Sequence, residues 1–531
     1  MQKNQALSKL YWSALVILIL LPILFYFAYL LAYGVNVPFG DDWEIVSLMG
    51  HFYAGNLKFA QLWAQHNENR MIIPYLLFIG LYRLTSFNVR AAMVASGIFL
   101  ILSFICFSLI FSKRRSFHWT FIPLAYLFFN FADTQNILWG FQMAWQLVSF
   151  CFFASVACLE ESGENKTAFA AAIFFAVLAS FSSFQGLFVW PAGFVYLLFN
   201  HFSLGQRKIW ISAALLSGII YFTGFSFHST GGPSLVYSLT HPLAIVKYLL
   251  IIAGGALLFP NPLRLNSLFF MARGSIGLFI LGAGSLSTFE AILESKKDKA
   301  FLLPASMGVF SFLFFISASI GRAGFGVGQA LETRYSLYGI FLLIAIYLTF
   351  LEKVKVSKEK FLFFFKAFLI IIALQVATSL QWGIRAGQSH CLYSLKGQEI
   401  LLNYPVVSPK LISVYLYPRP NEIPPRAAIL QKYNLSVFSS WQSRTLLPVP
   451  PELKKLFKKD TGDWLIWRLL STIYFYRPDL QKKFPPIPSE RKFTREIVSW
   501  ADKRGTQNDP DKILLFPWKK SLSEINRALN Y

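Results

Sequence analysis

Near its start the chain carries GDDWE (residues 40–44) and, somewhat later, HNENR (66–70), each flanked by strongly apolar sequence. Ionisable side chains at a membrane boundary are costly and therefore candidates for function. Asp41, Asp42 and Glu44 open an amphipathic stretch, DDWEIVSLMGHFYAG. An aspartate at that point can cap the helix and complement its dipole. Two adjacent aspartates followed by Glu44 exceed what capping requires. A carboxylate there suits a general base that takes a proton from a hydroxyl. In HNENR, alternate residues share a face if the backbone is extended, so His66, Glu68 and Arg70 would converge. The alternative is an exposed turn with a Glu–Arg pair that contributes little.

Three later segments carry complementary chemistry. NFADTQNILWGFQMAWQ (130–146) sets one acid, Asp133, among amides and aromatics, with Gln142 and Gln146 four residues apart. SSFQGLFVWP (182–191) places Gln185 near Trp190. Amides beside aromatic rings suit a sugar; hydrogen bonding between helices is the alternative. GRAGFGVGQALETRYSLYG (321–339) brackets a glycine-rich stretch with Arg322 and Arg334, and Tyr335 follows. The guanidinium fork matches a phosphate, and the glycines let backbone N–H groups approach an anion. The alternative is that Arg334 snorkels from a helix end, paired to Glu332.

The elements that position these residues follow from composition. Of 531 residues, 55% are hydrophobic and 14% charged, against about a quarter charged in soluble domains. SALVILILLPILFYFAYLLAYGV (13–35) exceeds the ~20 residues that cross a bilayer core, and it is too long for a cleavable signal. The sequence predicts an all-α polytopic membrane protein of about eleven spans. They fall near 12–35, 89–112, 117–131, 141–159, 167–182, 187–202, 209–227, 269–292, 301–319, 335–352 and 361–382. The apolar but short segments 71–84 and 244–259 read as re-entrant or interfacial helices at the outer face, tolerated where protein covers them. Placing the basic loops (Lys113–Arg115, Arg207–Lys208, Lys296–Lys299, Lys353–Lys360) in the cytoplasm obeys the positive-inside rule. The N-terminus is then cytoplasmic. The loops carrying the candidate residues, the first of them 36–88, face outward, as does everything after about 383. Residues 1–382 form the membrane module. Residues 383–531 are a polar, proline-rich extracytoplasmic region holding about half of the 49 basic residues. The formal charge of +23 reflects this lysine and arginine excess; no basic, aromatic-interleaved face points to nucleic acid. The four cysteines have neither metal-like nor disulfide-like spacing.

In order and topology these motifs resemble the GT-C superfamily of integral-membrane glycosyltransferases. The resemblance rests on FGDDWE (39–44), HNENRMIIPYLL (66–77), FNVRAAMVASGIFLILSF (87–104), NILWGFQ (136–142) and ETRYSLYGIF (332–341), and covers roughly residues 1–382. It is similar above all to uncharacterised bacterial members with an HNEHR-like turn. The O-mannosyltransferase and aminoarabinose transferase branches carry HPP at that turn, so their substrates do not transfer.

The resemblance implies a bacterial inner-membrane glycosyltransferase, with a hexose or pentose leaving a polyprenyl-phosphate donor at the outer face. The acceptor is a lipid-linked glycan, a surface polysaccharide or a protein, and the transfer inverts the anomeric centre. Asp41 or Asp42 takes the base's place; Glu44, His66, Glu68, Gln142 and Gln185 are candidates for acceptor or sugar; Arg70, Arg322, Arg334 and Tyr335 for the lipid phosphate. No cofactor is obligatory, although Asp41 and Asp42 have the oxygen ligands that Mg²⁺ or Mn²⁺ takes. Rival readings are a transporter or lipid flippase, which calls for mid-span charges and inverted repeats, and a polymerase or ligase of lipid-linked glycans.

Overall fold

The computed structural model describes residues 2–114, 118–163, 165–226, 235–259, 266–402 and 409–439. The expectations for the sequence beyond Ser439 lie outside the described residues. Among the described residues the protein is all-α apart from one tiny hairpin. In chain order the helices are α1 Gln2–Tyr33, α2 Asp42–Tyr53, α3 Phe59–Trp63, α4 Ile72–Thr85, α5 Val89–Arg114 and α6 Phe121–Phe128. There follow α7 Thr134–Leu138, α8 Met143–Glu161, α9 Lys166–Ser180, α10 Val189–Phe199, α11 Leu204–Phe222, α12 Leu235–Thr240 and α13 Pro242–Gly254. The last are α14 Ser267–Glu294, α15 Leu302–Arg322, α16 Ser336–Val356, α17 Lys358–Leu402, α18 Pro409–Tyr415 and α19 Ile423–Lys432.

Seven of the expected spans fall on helices long and apolar enough to cross a membrane: 10–33, 89–114, 140–161, 267–294, 299–325, 333–356 and 358–402. The other four fall on α6, α9, α10 and α11, of 8, 15, 11 and 19 residues. At 1.5 Å per residue, α6 is about 12 Å long and cannot cross ~30 Å of hydrocarbon by itself. The two segments expected to be short are short: α4 has 14 residues and α13 has 13.

The chain divides into two compact units. The first holds Met1–Gly34, Ala54–Thr85 and Val89–His390; the second holds Val35–Tyr53, Ser86–Asn88 and the chain from Cys391 onward. The helix α2 thus belongs with the chain after Cys391. In the first unit α5 packs on α8, α8 on α9, α13 on α14, and α15 on α16. α16 is the central helix, with 83% of its most apolar window buried, against 33% for α1 and 22% for the corresponding window of α17. The last two leave most of that apolar surface exposed. Glycines let α13 and α14 touch: a Cβ at Gly254 would lie 2.1 Å from the Arg273 carbonyl oxygen, and one at Gly277 would lie 1.9 Å from that of Leu250.

Basic and acidic side chains gather at one end of this bundle. Arg114, Glu160, Lys299 and Glu352 line a single cleft there, and Lys353 is bonded to Glu290 (2.7 Å) and Glu294 (3.2 Å). Of the basic loops grouped by the charge rule, those at 113–115, 296–299 and 353–360 therefore lie near one another. The ends of α15 and α16 that carry Arg322 and Arg334 are the opposite ends.

In the second unit α2 packs on α19. Ile429 fills the space beside Gly50, and Tyr53 stacks on Tyr433 at 4.8 Å.

Candidate functional site

The arginine loop between α15 and α16 is the most charged part of the first unit outside the basic end. Arg334 sits immediately before α16, a helix whose first turn has no acid, so the helix dipole adds positive character at the same point. Its guanidinium lies over the rings of Trp139 (5.6 Å) and Tyr335 (5.4 Å). Among the described residues it forms no ion pair: Glu332, its expected partner, instead accepts from the Gln135 amide. Gln135 also accepts the Arg334 backbone N–H at 3.2 Å, and its own N–H donates to Thr333 Oγ1 at 3.1 Å. Arg322, at the end of α15, is paired to Glu68 and lies 5.8 Å over the Phe325 ring.

The short helix α13 contributes Tyr248, fully buried, whose hydroxyl donates toward Gln329 Oε1 at 3.4 Å and toward the Tyr335 hydroxyl at 3.5 Å. Arg273 holds this arrangement in place. Only 2% exposed, it donates to the carbonyls of Ile251 (2.8 Å), Leu258 (2.9 Å) and Ala330 (3.3 Å). It thereby ties α13 to the loop that leads to Arg334. The arrangement can hold an anion: two neighbouring guanidinium groups, one of them in no ion pair among the described residues although Glu332 is near, with tyrosine hydroxyls beside them.

HNENR is not one extended strand. It folds into a hairpin in which Gln65 pairs with Arg70 and His66 with Asn69. Asn67 turns the chain with φ of 50°. Directly opposed residues share a face and neighbours alternate, so His66 and Arg70 point to opposite faces and Glu68 stands at the tip. The three side chains accordingly part company. His66 packs on Phe141 at 5.1 Å. Glu68 reaches Arg322. Arg70, 4% exposed, spends three donors on the carbonyls of Trp63 (2.6 Å), Thr223 (2.9 Å) and Tyr221 (3.3 Å). Of the hairpin's expected site residues, the structure brings Glu68 to the arginine loop and makes Arg70 a brace.

Next to the loop lies a buried polar cluster. Asn136 Nδ2 bonds both the Arg334 carbonyl (3.0 Å) and Asp133 Oδ1 (2.6 Å), and Gln146 Nε2 is 3.5 Å from Asp133 Oδ2. Burial pushes the Asp133 carboxyl well above the usual carboxylate range, with the Asn136 amide acting in the opposite direction. Gln185 Oε1 lies 2.7 Å from Ser183 Oγ, which also bonds Asn69 Oδ1 at 2.8 Å. Among the described residues, Asn136 Oδ1, Gln142 Oε1 and Gln146 Oε1 are buried without a hydrogen-bond partner, while Gln185 is hydrogen-bonded to the Tyr338 hydroxyl. Each such orphan costs about 1–3 kcal/mol.

The acids of GDDWE lie in the second unit. Asp42 is fully buried and its carboxylate accepts the Phe39 N–H at 3.2 Å, three residues back in the turn that leads into α2. Asp41 is half-buried. Glu44 is held by Arg426 Nη2 and by the Tyr417 hydroxyl, each at 3.0 Å. Arg426 also bonds Glu422 at 2.8 Å and lies over the Tyr417 ring. Burial, reinforced by Glu44, pushes the Tyr417 hydroxyl up to about 12, so it stays protonated and donates. Glu44 thus clamps α2 to chain more than 370 residues away. Among the described residues no three His, Cys, Asp or Glu side chains gather as a metal site.

Among the described residues, fold and site together define an all-α protein with seven helices long and apolar enough to cross a membrane and a cationic loop at the ends of two of them. No family model, curated protein or solved structure matches the chain, so the likeness to glycosyltransferases rests on its motifs. Tyr248, Arg273, Gln135 and the Arg426–Tyr417 clamp escaped the sequence reading. Only Tyr248 had a signal there, the apolar run 244–259 that is too short to span.

Proposed function

We propose that the protein is an integral-membrane glycosyltransferase that moves a hexose or pentose from a polyprenyl-phosphate donor to an acceptor hydroxyl on the outer face of the membrane. The observation that carries this reading is Arg334. A cation with no ion pair among the described residues, its nearby Glu332 bonded to Gln135, at a helix N-terminus and flanked by a second arginine and two tyrosine hydroxyls, is suited to a phosphate held near lipid. In the reaction the acceptor oxygen attacks the anomeric carbon from the face opposite the phosphate. The carbon–oxygen bond to the phosphate breaks, and the lipid phosphate leaves with the electron pair. Arg334 and Arg322 stabilise the charge that develops there, and being in place beforehand they need no reorganisation. The acceptor proton goes to a carboxylate. The motif resemblance alone offers Asp41 or Asp42 for that role, and Asp41 is the one put to the test.

The direct test is transfer of labelled sugar from a panel of polyprenyl-phosphate sugars by the purified protein, with Arg334→Gln and Asp41→Asn beside it. Loss of transfer in both variants, with lipid-phosphate binding lost only in Arg334→Gln, is expected. Undiminished transfer in either would refute the assignment. A flippase acting on the same lipid would move it across vesicles containing Asp41→Asn as fast as across those containing wild type.

A further inference from the structure

Resting on the lipid-phosphate reading of the arginine loop, we infer that Arg273 is a positioning residue for that phosphate: it fixes the loop against Tyr248 from behind. Arg273 stands on α14 and is 2% exposed. Among the described residues it forms no ion pair, and its Nε, Nη1 and Nη2 donate to the carbonyls of Ile251, Leu258 and Ala330. A buried cation without a counter-charge is costly. Packing α13 on α14 does not call for one, because the two helices already meet backbone to backbone where Gly254 faces Arg273 and Gly277 faces Leu250. Ile251 lies in the last turn of α13, where carbonyls lack an intrahelical partner, and a neutral amide could answer it. The third bond is different. Nη2 leaves the helix pair and reaches Ala330, four residues before Arg334. A guanidinium spreads its donors over several directions at once, which an ammonium or amide on one stem does not.

The loop that this bond reaches is built loosely. It consists of three single 3₁₀ turns, Ala323–Phe325, Gln329–Leu331 and Thr333–Tyr335. Gly326 stands at φ 84°, and a Cβ at Gly321, Gly326 or Gly328 would meet nothing within 4 Å. Its ends are tied, Arg322 to Glu68 and residues Thr333 and Arg334 to Gln135. In its middle, Tyr248 of α13 donates to Gln329 at 3.4 Å and Arg273 donates to Ala330 at 3.3 Å. Arg273 therefore sets the spacing between α13 and the loop, and with it the 3.5 Å contact between the Tyr248 and Tyr335 hydroxyls. Hydrogen bonds of 3.4 and 3.5 Å are at the limit of their range, so a small shift parts them. Both arginines of the loop act electrostatically on the Tyr248 hydroxyl, so that shift disturbs the phosphate candidate itself.

Gly255→Ala isolates the third bond. A Cβ there would lie 2.6 Å from Arg273 Nη2, the atom that serves Ala330, and the backbone at Gly255 (φ −63°, ψ −17°) accepts alanine. Nη2 is pushed off Ala330 while the charge stays. The full chain in detergent, as wild type, Gly255→Ala and Arg273→Lys, is titrated with polyprenyl phosphate and with neutral polyprenol, and thermal unfolding is followed beside it. The ratio of the two affinities should fall about fivefold in Gly255→Ala, the scale of one hydrogen bond. It should fall at least as far in Arg273→Lys, which keeps the charge but does not span three carbonyls. A residue that only packs helices would shift unfolding and leave the ratio alone. An unchanged ratio in either folded variant overturns the positioning role. If neither variant folds, Arg273 serves folding alone, which overturns it too. Wild type that binds the phosphate no tighter than polyprenol overturns the lipid-phosphate reading and this role with it, whereas a wild-type preference that survives in the variants overturns the role of Arg273 only.

Discussion

The Glu68–Arg322 pair places a carboxylate where an incoming lipid phosphate would have to compete. The Glu68 side chain is 44% exposed and that of Arg322 20%, so the pair is solvent-screened and worth about 0.2–1 kcal/mol. Glu68 also repels the ligand. A phosphate charge seated on the far side of Arg322, about 7 Å from the carboxylate, meets about 2 kcal/mol of repulsion at an effective dielectric near 20, and about 0.6 kcal/mol in bulk water. Replacing Glu68 by Gln removes both terms and keeps the side chain's volume. The gain should be about 1–3 kcal/mol, roughly 5- to 150-fold tighter binding. It should shrink as salt is raised, since the Debye length falls to about 3 Å at 1 M. Titration of polyprenyl phosphate into detergent-solubilised wild type and Glu68→Gln at two salt concentrations measures it. Neutral polyprenol is the control. Binding of the phosphate no tighter in Glu68→Gln than in wild type, or an equal gain for polyprenol, would refute the competition between Glu68 and the ligand.

Four other perturbations have outcomes fixed by the geometry. Asp42→Ala, which deletes the acceptor for the Phe39 N–H, should cost about 1 kcal/mol of stability in thermal or denaturant unfolding. Glu44→Ala leaves Arg426 and Tyr417 without their shared acceptor; about 1–3 kcal/mol of lost stability is expected, and Arg426→Met should not add fully to it in a double-mutant cycle. Arg70→Lys replaces a fork that reaches three carbonyls by one ammonium, and increased protease cleavage near residues 63–70 would register the loosened hairpin. Asp133 gives a pH signature. Its folded pKa is raised, so its contribution is most favourable below the ordinary carboxylate range of about 4 and is lost as pH climbs toward the raised value, because the unfolded chain gives up the proton first. Stability of wild type minus that of Asp133→Asn should therefore fall with rising pH across that window.

The helices were legible because the bilayer demands long apolar runs: seven expected spans stand as helices of sufficient length. Less legible were α6, α9 and α10, where apolar character continues across turns and 3₁₀ segments that composition does not register. Within the site, the arginine loop was visible from charge isolated in greasy sequence. The partnerships were not. That Glu332 would serve Gln135 rather than Arg334 depends on side chains 197 residues apart. That HNENR would turn back on itself depends on one residue, Asn67, adopting positive φ, which asparagine does more readily than most. The alternation argument treated five residues as extended when only two on each side of the turn are.

The Glu44 clamp also sets an order of events during synthesis. Glu44 is translated 373 residues before Tyr417 and 382 before Arg426. At about 5–20 residues per second, α2 waits roughly 20–75 s for the groups that neutralise it. Through that interval its acidic first turn must remain hydrated or be held by something else. A ribosome that stalls before residue 417 would release a chain whose transmembrane helices are complete but whose first-loop helix has no counter-charge from this clamp. Shortening the gene from its 3′ end would thus disturb the earliest loop of the protein, and activity lost in such truncations would report on residues near position 44 as much as on those deleted.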